Sequence, residues 1–174
     1  MKNTNQNDLR WLCCAGAFFF CFFVQCCLCA MVPAGRTVPA LAPLAVAAMG
    51  FLEGSGEGAL FGLLAGVVCA AGLGPGHARA IWLLSLTGYL CGLTVHRSLG
   101  RTLPGYLLCA LGALALWEGT EAALAMMVHG TQGIALLSIA GREAGYSLVF
   151  APGIYLLFSA IHRRFRPGLE FETP

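Results

Sequence analysis

From Trp11 to Val32 the chain reads WLCCAGAFFFCFFVQCCLCAMV without one charged side chain. An α-helix needs about 20 apolar residues to cross the hydrocarbon core of a bilayer, and this run supplies them. Only helices and closed barrels satisfy their own backbone polar groups in lipid, and runs of this length point to helices. Further apolar stretches follow at about Val38 to Leu52, Gly58 to Gly74, Ala80 to Leu99, Leu103 to His129 and Ile134 to Ile161. Charged residues make up 10% of the 174, against about 25% in a typical soluble domain. The expected fold is an all-α polytopic membrane bundle of about six transmembrane helices. It would comprise a polar tail over 1–10, a helical domain over 11–165 and a second tail over 166–174. The first run is longer than the 7–15 residues of a signal-peptide core, and no convincing A-x-A site follows it. It is therefore expected to be a retained span.

Prolines and glycines punctuate the rest. Pro33 and Gly35 end the first run, and Pro39 and Pro43 place a first turn or kink at the start of the second. EGSGE, Glu53 to Glu57, reads as a tight turn. The fifth helix is interrupted by Glu118 and Glu121. The last apolar run divides into a lead-in, Ile134 to Arg142, and a sixth span, Glu143 to Ile161. With the N-terminus inside and six spans, Lys2, Arg10, Arg97, Arg101, Arg163, Arg164 and Arg166 fall on the inner side, and Arg36, Arg79 and Arg142 on the outer. The bias of basic residues toward cytoplasmic loops then favours both termini inside.

The third helix carries a small residue at every fourth position: Gly58, Gly62, Gly66, Ala70 and Gly74. Helices in lipid associate through close van der Waals packing, which small residues permit. Such a stripe packs either against another helix of the same chain or against a partner, and the first reading is preferred because every interior helix needs neighbours.

Chemistry is sparse. The net charge of +2 gives no clustered basic surface for nucleic acid. The nine cysteines, Cys13, Cys14, Cys21, Cys26, Cys27, Cys29, Cys69, Cys91 and Cys109, lie in apolar runs without zinc-ligand spacing and read as small hydrophobes. His77, His96, His129 and His162 stand at helix ends, none paired with another at helical spacing. Ser85 and Ser147 read as hydroxyls bonded to their own backbone. GPGH, Gly74 to His77, lacks the Lys and Ser/Thr of a phosphate loop. No enzyme, metal or cofactor is expected. Glu118 and Glu121 share one helix face in an apolar run. A carboxylate within a membrane is costly and faces a cavity, partner or ion pathway, unless the helix is offset and the acids meet the outer interface beside Trp117. Arg142 and Glu143 do not face each other and are expected within reach of Glu118 or Glu121.

Gly58 to Leu93, GALFGLLAGVVCAAGLGPGHARAIWLLSLTGYLCGL, resembles the bacterial rod shape-determining protein MreD family: a Gly-rich helix, a Gly-x-Gly turn, then an apolar helix with GYL and a basic end at His96, Arg97 and Arg101. Arg142 to Phe165 is similar to that family's last helix, with a proline in the span and a basic end. The likeness runs from about Pro39 to Arg166. One departure is that Cys69 and Ala70 stand where family members often carry an acid. The resemblance implies a non-enzymatic component of the cell-elongation complex in the cytoplasmic membrane. Such a component would bind MreC and connect indirectly to MreB, RodA and a penicillin-binding protein. The family's fold is similar to the substrate-binding subunits of energy-coupling factor transporters. A vitamin-binding subunit of that type is therefore the alternative, and an independent channel ranks last because intramembrane polar residues are few.

Overall fold

Backbone groups in lipid must be satisfied within the segment, and the chain meets that demand with helices alone among the residues described. The structure, a computed structural model, describes residues 2–31, 39–74, 77–97, 102–129 and 133–165. Six helices follow in order: α1 Lys2–Met31, α2 Leu41–Glu53, α3 Ser55–Leu73, α4 Ala80–Arg97, α5 Leu103–His129 and α6 Gly133–Phe165. Four of them, α1, α3, α5 and α6, are long and apolar enough to cross a membrane, which marks the chain as a membrane protein. Against the six spans expected, these four of the described helices qualify by length and composition. At 13 residues, α2 reaches only about 20 Å at 1.5 Å per residue, and the apolar part of α4 is also shorter than a full span.

Three boundaries differ from the sequence reading. The first helix begins at Lys2 rather than Trp11, because Arg10 is drawn into the bundle instead of standing in a solvated tail. No break divides the last run at Arg142; α6 is one helix of 33 residues. The five-residue turn contracts to Gly54 alone. Its φ of 111° and ψ of 176° lie in a region essentially reserved for glycine, so one residue reverses the chain between α2 and α3. Glu118 and Glu121, expected to interrupt α5, sit within an unbroken helix.

The centre of the bundle is α2. Every residue from Leu41 to Leu52 is buried, and α1, α3, α4, α5 and α6 all pack on it. A helix so short and so rich in alanine has little side-chain bulk, which lets neighbours close on every side. Aromatic rings fill the larger gaps: Tyr106 of α5 and Tyr155 of α6 stack with centroids 5.1 Å apart, and Phe51 of α2 meets both edge-on. The Tyr106 hydroxyl donates to the Leu44 carbonyl at 3.1 Å. A buried phenol thereby gains the partner it needs, and α5 is tied to α2.

The most extensive helix contact is α3 with α4, and glycines set its closeness. A Cβ built on Gly58 would lie 2.5 Å from Gly50 Cα and 2.6 Å from the Gly88 carbonyl oxygen, so α2, α3 and α4 cross at three glycines. One built on Gly62 would collide with the Leu84 carbonyl, and one on Gly66 with Ile81 Cα. Each step of four along α3 moves about four residues back along α4, which is the register of an antiparallel pair. Ser85 Oγ donates to the Ala59 carbonyl across this seam at 3.0 Å, so its hydroxyl bonds a neighbouring helix rather than its own backbone. Ala70 is half-buried at the seam's far end. Gly74 does not belong to the packing stripe: its Cβ would meet nothing within 4 Å, and its φ of 95° ends the helix.

The backbone contact makes a direct prediction. Gly62→Ala is expected to lower the thermal midpoint and the yield of folded protein in detergent, because the methyl carbon must push α4 away. Gly119→Ala, at a helical glycine with open space around its Cβ, should leave both unchanged or raise stability by about 0.5–1 kcal/mol.

Candidate functional site

Polar side chains gather at the two ends of α2. At its C-terminal end, Arg10 of α1 is 1% exposed and forks between two carboxylates. One guanidinium nitrogen lies 2.7 Å from Glu53 Oε2, and the other 2.8 Å from Glu57 Oε2. The single-residue turn at Gly54 makes this possible by setting the last residue of α2 and the first turn of α3 side by side. His162, from the last turn of α6, closes the group with Nδ1 2.9 Å from Glu53 Oε1. Four helices, α1, α2, α3 and α6, are thus joined by side-chain contacts at one end of α2. A buried pair stripped of one partner leaves an uncompensated charge that costs about 3–5 kcal/mol.

At its N-terminal end α2 stops inside the bundle. The first amides of a helix have no intrahelical acceptor, and here side chains supply them. Gln25 Oε1 of α1 accepts from Leu41 N at 2.9 Å and from Ala42 N at 3.1 Å. Ser147 Oγ of α6 accepts from Ala40 N at 2.8 Å and donates to the Glu143 carbonyl at 2.7 Å. The next position, Pro43, has no N–H to satisfy. The whole first turn is accounted for without water.

One turn from Ser147 on α6 stands Glu143, close to Glu118 of α5. Glu121, one turn further along α5, takes Arg79 as a forked partner, with Nε 3.1 Å and Nη2 2.5 Å from its oxygens. The expected pairing of Arg142 with Glu118 or Glu121 is corrected. Adjacent residues point about 100° apart on a helix, so with Glu143 turned to α5, Arg142 is exposed and joins no ion pair among the described residues. The basic partner comes instead from Arg79, before α4. Glu118, Glu121 and Glu143 are therefore brought together, and Arg142 is left outside.

Sequence reasoning assigned no role to Arg10, Glu53, Glu57 and His162 together, and passed over Gln25. Two signals were present. Gln25 is the one amide side chain in the first apolar run, and a chain that crosses back and forth brings the start of α1, the α2–α3 turn and the end of α6 to the same side.

The third feature lies on the flank, where α4 and α5 diverge. A cavity of about 320 Å³ opens there, lined almost wholly by apolar atoms of residues that include Leu90, Leu108, Gly112 and Leu116, with Thr87 and Thr94 at its wall. A smaller apolar hollow of about 160 Å³ lies between α1 and α6 beside Phe20 and Phe150. Among the described residues, no three His, Cys, Asp or Glu side chains gather as a metal site. His96, His129, Arg97 and Arg101 have side chains outside the described set. No protein-family model, curated protein or solved structure matches this chain.

The ionic group yields a two-step test. Arg10→Met should cost about 3–5 kcal/mol of stability, seen as an early thermal transition in detergent. The joint replacement Arg10→Met with Glu53→Leu should recover most of the loss, because a buried pair exchanged for apolar side chains is close to neutral.

Proposed function

We propose that this chain is a non-enzymatic scaffold of the bacterial cell-elongation machinery, related to the MreD family, in the cytoplasmic membrane with both termini inside. Its direct partner is an MreC-like membrane protein, and through it MreB, RodA and a penicillin-binding protein. The observation that carries this reading is the character of the concave surface. Both described hollows are apolar and face the flanks of the bundle, the kind of surface on which a partner's transmembrane helix packs through van der Waals contact. Polar side chains at the two ends of α2 meanwhile bind the helices to one another. Arg10, Glu53, Glu57 and His162 bind helices together, as do Gln25 and Ser147.

The segment that carries the family resemblance, Gly58 to Leu93, coincides with the tightest part of the fold, the α3–α4 seam. Cys69 is buried where relatives in that family often have an acid, so an acid-dependent role at that position is not part of the proposal. The distribution of Lys and Arg supports the orientation, since the Arg10 and His162 end also carries Arg163 and Arg164, both exposed.

The alternative, a substrate-binding subunit of an energy-coupling factor transporter, draws on the other end of the molecule. There Arg79 and Glu121 are 27% and 36% exposed and lie one turn from Glu118. A vitamin site would need such convergent polar groups around a cavity.

One experiment separates the two. Affinity capture of the detergent-solubilised protein from cells that co-express the MreC-like protein of the same organism is expected to retain that protein at a fixed ratio. Absence of co-purification, together with thermal stabilisation by a vitamin added to the isolated chain, would reverse the order.

A further inference from the structure

On the slack side of the bundle two thiols from different helices meet. Cys91 of α4 faces Cys109 of α5, with Cys91 Sγ 3.9 Å from the Cys109 carbonyl oxygen. Thr94, one turn beyond Cys91, places Oγ1 3.0 Å from Cys109 Sγ. That hydroxyl has one proton, given to the Cys91 carbonyl at 2.7 Å, so the Cys109 thiol donates to Thr94. The threonine thereby holds Cys109 Sγ on the side of α4. Here α4 and α5 make one of the least extensive contacts between neighbouring helices, so small movements that bring the sulfurs together meet little resistance.

Both thiols line the flank cavity between α4 and α5. They are 5% and 7% exposed, and the cavity beside them is an apolar groove. That lining excludes charged peptide thiols and disulfides and admits a flat apolar molecule dissolved in the bilayer. The cavity, about 320 Å³, falls within the range of small-molecule pockets.

We propose that Cys91 and Cys109 form a redox pair, closed to an intramolecular disulfide by a quinone-class oxidant of the membrane and reopened by a dithiol reductant. Two S–H bonds break and one S–S bond forms. Each cysteine gives up one electron and one proton, and the quinone takes up both electrons and both protons to become the quinol. Closure sets the sulfurs about 2.0 Å apart and fastens α4 to α5 at the wall of the groove, so oxidation narrows it. The inference is independent of the partner assigned above.

The test uses the full-length protein, reduced, freed of reductant and held in detergent. Decylubiquinone is added, free thiols are blocked with N-ethylmaleimide, and the protein is mapped by mass spectrometry without reduction. The expected result is a linked peptide joining Cys91 and Cys109, an intact mass lower by two hydrogens, formation of quinol in equal amount, and a higher thermal midpoint. Dithiothreitol should reverse both the mass change and the midpoint. In Cys91→Ser the link disappears and quinol formation falls to background. A variant that keeps only Cys91 and Cys109 should still close; if it does not fold, the wild-type peptide map decides alone. Both cysteines fully alkylated after quinone treatment of folded protein, or a link from either to another cysteine, would overturn the proposal.

Discussion

A helix that ends within a membrane-embedded bundle exposes amides that nothing in lipid can satisfy, and the fold depends on how α2 meets that cost. Gln25 takes two of those amides and Ser147 a third, and Pro43 removes the need for another. Each unsatisfied buried donor would cost about 1–3 kcal/mol. Because the acceptors come from α1 and α6, capping α2 also positions the first and last helices around it. The same two contacts thus permit a short central helix and fix what surrounds it.

The remaining neighbours are bound to α2 by different physics. Three glycines, Gly50, Gly58 and Gly88, bring α3 and α4 to backbone contact. Tyr106 ties α5 through a hydroxyl to the Leu44 carbonyl and through stacking on Tyr155. Arg10, Glu53, Glu57 and His162 close the opposite end of α2. In lipid, apolar side chains gain little by leaving one apolar environment for another. Hydrogen bonds, ion pairs and close backbone approach therefore decide which helix faces which. The flank between α4 and α5 lacks such a tie of comparable extent, and that is where the groove lies.

How much of this was legible in the sequence follows the same division. Apolar length and the Pro/Gly breaks locate all six helical segments, because these depend on local composition. They do not reveal that α2 is wrapped on all sides by its own chain. The fourfold glycine spacing on α3 is plain in the sequence; that Gly58, Gly62 and Gly66 meet α4, and that Gly74 instead terminates the helix, depends on packing partners. The acidic residues of α5 stand out, yet the sequence places a basic candidate for them on α6, at Arg142. Helical phase turns Arg142 away there, and Arg79 arrives from a connection whose position no local pattern encodes. Arg10 looked like a tail residue because its two acidic partners lie 43 and 47 positions away.

A bundle organised around a fully wrapped helix leaves apolar flanks, seen in the hollows between α4 and α5 and between α1 and α6. Side-chain capping of its buried first turn holds α2 in place. The most direct test is the thermal unfolding of Gln25→Leu in detergent. A loss of about 2–6 kcal/mol is predicted for two amides left without an acceptor, and stability equal to that of the unaltered protein would contradict the account.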